Sequence, residues 1–370
     1  MFTEKIAPRQ VFILFFIMRT SIVISFLPVL TSAGAKEDAW IAAIIAFFPS
    51  AAIVYIIGRL VVAFPGKSIV QYSQDLLGGF LGRILSLFYL GLFLFIAGTD
   101  LRVYGEVIKT VFLPNTPISV IMGIMVLAAA MVVYAGVEPL GRVADIIFPL
   151  FLLMIAGTIL FPIIHADFSN LQPVLAEGWS PIMVTSITPI AITAQYSALT
   201  MLVPSVNKPK KALGAALLSV FFASIVLVFV AVMVVSVMGA EEVARSAFPV
   251  FKMVRSTSVT EFLERVEALT IFAWGFGLFT SISVNLYCGS RGLSQLIGMK
   301  DNRPLILPMS VVWVAFAVQG YRSIFEVKQF FSPEVIGPFV LMVAVFPILI
   351  LWAAYFFKRP GKGDQSELQK

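Results

Sequence analysis

The chain has 370 residues, 59% of them hydrophobic and 12% charged, with a formal net charge of +6 and a mean hydropathy of +0.98. So few charges exclude an ordinary soluble domain, in which about a quarter of the residues are charged. The basic residues are dispersed between apolar stretches, which argues for membrane topology and against nucleic acid as their reason. The single histidine, His165, and the single cysteine, Cys288, leave no internal disulfide and no His/Cys metal site, and no cofactor is expected.

Ten apolar segments are each long enough to cross a bilayer core that needs about 20 residues: 9–33, 39–63, 80–107, 116–136, 143–165, 181–203, 211–238, 262–289, 303–321 and 334–357. The expected fold class is therefore an all-α membrane protein, one domain over 1–357, followed by a short basic tail at 358–370. The first segment has a basic lead, Lys5 and Arg9, and no small-residue cleavage site, so it is expected to be a retained span. With ten spans, both termini and sixteen Lys and Arg lie on one side, and nine lie on the other. The positive-inside rule then predicts cytoplasmic termini.

The first span is interrupted in its middle by Arg19, Thr20 and Ser21. A charge at that depth costs about 3 kcal/mol even on the lenient insertion scale, so these residues are candidate ligand contacts. Span three ends in GTDLRVYGEVIK, where Asp100 and Tyr104 stand four apart and are expected to line one external vestibule. The competing expectation for Asp100 is a local pair with an arginine. At the end of span four, Glu138 and Arg142 are expected to form an ion pair at a helix end.

Span six repeats the irregularity of span one. Pro189 stands in its middle with Thr193, Gln195 and Tyr196 close behind, and a proline there removes a helical hydrogen bond. Ten spans divide into two halves of five, about 9–165 and 181–357, and an odd number per half makes the halves inverted. Interruptions in corresponding spans of inverted repeats point to a site near the midplane, so helices 1 and 6 are expected to be discontinuous and to face each other. Between spans seven and eight, the segment 239–261 places Phe248, Phe251 and Val254 at helical spacing, as a packed lid or an interfacial helix. Glu264, Arg265 and Glu267 are expected to fix span eight to that lid. Ser281 and Asn285, deeper in span eight, are further candidates, although small polar residues there more often serve helix packing. No nucleophile with a paired base and no phosphate loop is present, which argues against an enzyme.

The blocks IAPRQVFILFF, AKEDAWIAAII, FPGKSIVQYSQDLLGGFLGRILSLFYL, NLQPVLAEGWSPI and FPVFKMVRSTSVTEFLERVEALTIFAW resemble those of the membrane-permease B subunit of endospore germinant receptors. That family is similar to amino acid/polyamine/organocation transporters. The resemblance implies a five-plus-five inverted repeat, a larger A subunit and a lipid-anchored C subunit as partners, and residence in the inner membrane of the spore. It also implies that a small nutrient such as an amino acid is sensed. The chain departs from the family's pattern at two places. Arg19 to Val23 stands where small residues, often glycines, are common, and Tyr196-Ser197-Ala198 stands where a glycine closely followed by glutamate is common. Arg19 is expected to pair with a ligand carboxylate, unless it is tied structurally to Asp100.

Overall fold

The computed structural model describes residues 5–25, 27–246, 248–256 and 261–358, without the side chains of 25, 27, 29, 30, 111 and 261–270. In chain order the helices are α1 (Pro8–Ser25), α2 (Leu27–Ala35), α3 (Ala39–Ala63), α4 (Ile69–Leu77), α5 (Gly79–Val111), α6 (Ile118–Ala135), α7 (Val137–Leu160), α8 (Trp179–Ala191) and α9 (Leu199–Leu202). They continue with α10 (Pro209–Met238), α11 (Ala240–Arg245), α12 (Pro249–Ser256), α13 (Glu261–Leu296), α14 (Arg303–Gln319), α15 (Ile324–Phe330), α16 (Pro333–Val340) and α17 (Phe346–Lys358). Among the described residues, eight helices are long and apolar enough to cross a bilayer, nine if α14 and α15, bent by 93° at a short break, form one span. The first apolar segment is described as α1 and α2, and position 26 between them lies outside the described residues.

Burial separates an inner from an outer set of helices. The segments Trp179–Ser205 and Ile271–Leu296 are 78% buried over their most apolar windows, against 33% for Val137–His165. Spans six and eight therefore lie inside the bundle, while α7 turns residues such as Ile146 and Leu153 outward, as a lipid-facing helix must. α1 packs mainly on α10 and α13, α3 on α10 and α8, and α5 on α13. The contact of α1 with α13 depends on Gly277, where an added Cβ would stand 2.1 Å from the Ser21 Cβ. Close backbone approach through small residues is the usual means of joining membrane helices.

The segment before α1 is fastened to the end of span six. The Ile6 N–H donates to the Ser205 carbonyl at 2.9 Å, and the Asn207 N–H donates to the Ile6 carbonyl at 3.0 Å. Ile6 is fully buried there, and Arg9 and Gln10 both reach Asp145 of α7.

At the opposite end, α11 and α12 form a lid. Phe251 and Val254 are buried, and Phe251 meets Trp274 of α13 edge-on with ring centroids 5.7 Å apart. Phe251 and Val254 thus pack inward on the bundle, as the packed-lid reading expects. The side chains of Glu264, Arg265 and Glu267, expected to fix it, lie outside the described residues. The expected Glu138–Arg142 pair is present, and it is exposed. Of the tail at 358–370, only Lys358 is described.

Candidate functional site

The polar interruption of span one does not interrupt its helix: α1 runs unbroken through Arg19, Thr20 and Ser21. The expected break in helix 1 is absent at these residues, because the groups that satisfy Arg19 come from other spans and its own backbone stays helical. Span six is irregular instead, without leaving helical form. α8 ends at Ala191, the chain tightens into a 3-10 helix over Ile192–Ala198, and α9 resumes at Leu199. Pro189 lacks the N–H that would continue the helical ladder, and such residues start irregular turns.

Arg19 lies against this irregular stretch and is 2% exposed. Its Nη1 donates to Thr193 Oγ1 at 3.0 Å, and its Nη2 donates to the Pro189 carbonyl at 3.2 Å and to Ser50 Oγ of α3 at 3.3 Å. All three acceptors are neutral. No carboxylate lies within ion-pair distance of Arg19 among the described residues, so the expected structural tie to Asp100 is not formed. A buried cation without an anion is an unfavourable arrangement unless one arrives.

Asp100 of α5, 4% exposed, accepts a hydrogen bond from Ser281 Oγ of α13. Asn285, one turn on, donates from Nδ2 to the Ser281 carbonyl at 2.8 Å, while its Oδ1 has no partner. The arginine near Asp100, Arg102, is engaged elsewhere: it pairs with Glu106 and donates to the carbonyls of Ala317 and Val318. The local arginine pair expected for Asp100 is therefore not made.

Asp100 and Gln195 meet at a cavity of about 40 Å³, walled also by Ile22, Thr99 and Phe331. A space of that size holds no more than a few water molecules. Gln195 is 3% exposed, and neither its Nε2 nor its Oε1 has a partner. The buried Thr20 Oγ1 is also unpartnered. Orphaned polar groups of this kind each cost about 1–3 kcal/mol.

The predicted residues thus fall into three groups. Arg19 meets Thr193 on the side facing α3, and Asp100, Ser281 and Asn285 form a chain between α5 and α13 that reaches Gln195 at the cavity. Ser21, Tyr196 and Tyr104 instead do packing work. Ser21 donates to the Met18 carbonyl and fits against Gly277. Tyr196 stacks on Phe15 at 4.8 Å, and its hydroxyl bonds Ser219 Oγ of α10 at 2.9 Å. Tyr104 does not share a vestibule with Asp100. It stacks on Trp274 at 5.8 Å and lines, with Ile108 further along α5, a separate apolar cavity of about 640 Å³. The sequence reading missed Ser50, although Pro49-Ser50 in mid-span carries the same proline-hydroxyl signal as span six. It also missed Thr99, whose Oγ1 bonds the Tyr321 hydroxyl at 2.9 Å and which has no local signal.

An enclosed bundle with an irregular central span, and buried polar groups turned on it, defines a membrane protein of secondary-transporter fold. Two solved structures have this fold: MhsT in complex with L-phenylalanine (TM-score 0.69, 13% identity, 95% of this chain and 99% of that one) and a substrate-bound, outward-open Na+-coupled sialic acid symporter (TM-score 0.67, 14% identity, 92% and 79%). Within that class, the model of the family described as spore germination protein matches residues 5–322, and the chain belongs to this family. Spore germination protein KB of Bacillus subtilis is 26% identical over 99% of both chains, and spore germination protein YndE of the same organism is 23% identical over 97% of this chain and 99% of the relative. The family is one of permease-like germination proteins and not an enzyme family.

Proposed function

We propose that the chain is the nutrient-sensing transmembrane subunit of a spore germinant receptor. In this reading it has ten spans and cytoplasmic termini, sits in the inner membrane of the spore, and signals to A and C subunits. A small germinant carrying a carboxylate, such as an amino acid, enters between spans one and six. Arg19 takes the carboxylate in a two-pronged match, and Thr20, Thr193 and Gln195 supply further polar contacts. Asp100, held by Ser281 with Asn285 behind it, supplies the α5 side of the cavity that Gln195 lines. The observation that carries the proposal is the buried Arg19 guanidinium, held against the irregular part of span six by neutral groups alone. The central cavity is too small for such a ligand, so binding has to select a more open arrangement, and it thereby shifts a conformational population. A thermal-shift screen of the purified chain against amino acids tests this. A ligand that binds only the folded state raises the melting temperature, and the rise must vanish in Arg19→Leu. A ligand that protects both forms equally refutes the assignment.

A second reading, an active proton-coupled permease, is favoured by one observation: the buried Asp100 carboxyl borders the central cavity with a single hydroxyl partner and, among the described residues, no ion-pair partner. Liposomes separate the two readings. A permease accumulates labelled ligand along an imposed proton gradient and loses this in Asp100→Asn, whereas a receptor only binds.

A further inference from the structure

A second cavity, of about 580 Å³, opens at the end of the bundle where the segment before α1 meets the end of span six. Its size falls within the range of small-molecule sites. Lys5, Arg291, Lys300 and Arg303 line it, with Asp301 as the one carboxylate among the described residues, and Ser205 and Tyr287 contribute hydroxyls to the wall. Those two hydroxyls lie 3.3 Å apart. None of the four cations belongs to an ion pair among the described residues. Asp301 forms no ion pair with the Arg303 guanidinium; its Oδ1 accepts from the Arg303 backbone N–H at 3.1 Å. The Arg303 side chain donates from Nε to the Tyr134 carbonyl at 3.1 Å and lies over the Tyr134 ring. Elsewhere at this end, Arg9, Lys67 and Arg142 are each held by a carboxylate, while Arg83 and Lys208 are exposed outside the cavity, as Lys5, Lys300 and Arg303 are within it. Like charges gathered in a concavity repel one another and focus a positive potential into it. The arrangement gains from a counter-charge that touches several of them together.

We propose that this basic cavity is a binding site for a compact multivalent oxyanion of the phosphate type, separate from the germinant site. Its cations have the right chemistry: a guanidinium offers a planar fork to phosphate oxygens, lysine ammonium a point charge, and the hydroxyls direct donors. A monovalent carboxylate engages only one cation and leaves the repulsion among the rest. The same oxyanion chemistry belongs to a dissolved phosphate compound and to an anionic lipid headgroup at the bilayer surface, so the test contains an arm for each.

The purified full-length chain is placed in nanodiscs of phosphatidylcholine alone, or of phosphatidylcholine with phosphatidylglycerol, and titrated calorimetrically with inorganic pyrophosphate at low and physiological salt, with acetate as the monovalent control. Saturable pyrophosphate binding is expected in phosphatidylcholine discs, weakening with salt and absent for acetate. Lys300→Gln, at an exposed side chain, and Arg291→Gln, at a half-buried one, should each weaken it about tenfold or more, while Arg83→Gln leaves it unchanged. If phosphatidylglycerol competes with pyrophosphate, the headgroup is the source of the anion. If it does not, a dissolved oxyanion is. Absence of saturable binding, or an equal loss in Arg83→Gln, overturns the site. An unshifted melting temperature of the unliganded variants shows that any loss is local.

Discussion

Replacing Arg19 with leucine distinguishes a ligand contact from a structural tie, and its magnitude follows from the surroundings of the guanidinium. Withdrawing an ion of this size from water costs several kcal/mol. Three hydrogen bonds from the cation to Thr193, Pro189 and Ser50 return about 1.5–3 kcal/mol each, so without ligand the buried arginine roughly breaks even against an apolar side chain. Leucine removes the desolvation cost together with the bonds, and the freed hydroxyls of Thr193 and Ser50 can donate within their own helices. The folded chain should therefore keep its stability to within about 2 kcal/mol. The ligand's carboxylate has no such substitute. Removing one member of a buried charge pair costs about 2–5 kcal/mol, which, at a tenfold change per 1.36 kcal/mol, raises the half-maximal germinant concentration from roughly 30-fold to several thousandfold. The assay is the germinant dose response of spores carrying the variant, with the chain's abundance measured in spore membranes. An unchanged half-maximal concentration at normal abundance refutes the role. A collapse in abundance shows instead that Arg19 holds the fold together.

Four further outcomes are expected. Gly277→Ala should destabilise the bundle by about 1–3 kcal/mol through overpacking against Ser21, and Ser21→Gly on the same chain should restore most of the loss in a detergent melt. Ser281→Ala should lower the melting temperature more in the native background than alongside Asp100→Leu, since only the carboxylate needs the hydroxyl, by a coupling of about 1–3 kcal/mol. Glu106→Leu leaves the 5%-exposed Arg102 without its anion and should cost about 3 kcal/mol, more than the double change with Arg102→Met; equal losses contradict a pair that compensates its own burial. At the lid end, the Ser169 hydroxyl and N–H hold the exposed Asp167 carboxylate below its usual range, so this turn's stabilisation is present near neutral pH and fades on acidification through that lowered pKa. Hydrogen exchange of the Asp167–Gln172 turn should accelerate at low pH relative to an Asp167→Asn control.

Eight or more spans were legible in the sequence because a bilayer imposes length and apolarity on each, and Pro189 announced the irregular stretch of span six because a missing N–H is a local property. Arg19 announced itself as a cost, since charge at depth is costly wherever its partners lie. What a single segment does not contain is the means by which that cost is met. Thr193 is 174 positions away and Ser50 31, and with them in place the helix needs no break at Arg19. The same limit applied to Asp100, whose partner Ser281 lies 181 positions away, and whose expected companion Tyr104 lines a different cavity. Spacing along a helix gives a shared face, but the neighbouring helices decide which side chains meet.

The bridge from Ile6 to Ser205 and Asn207 also limits how the bundle moves. It clasps the approach to α1 to the end of span six at one end of the molecule. Drawing the two spans apart there breaks two backbone hydrogen bonds, at about 1 kcal/mol each, and uncovers Ile6 besides. Drawing them apart at the lid end breaks neither. The clasp thus makes opening at the fastened end depend on Ile6 releasing Ser205 and Asn207, a cost that opening at the lid end does not carry.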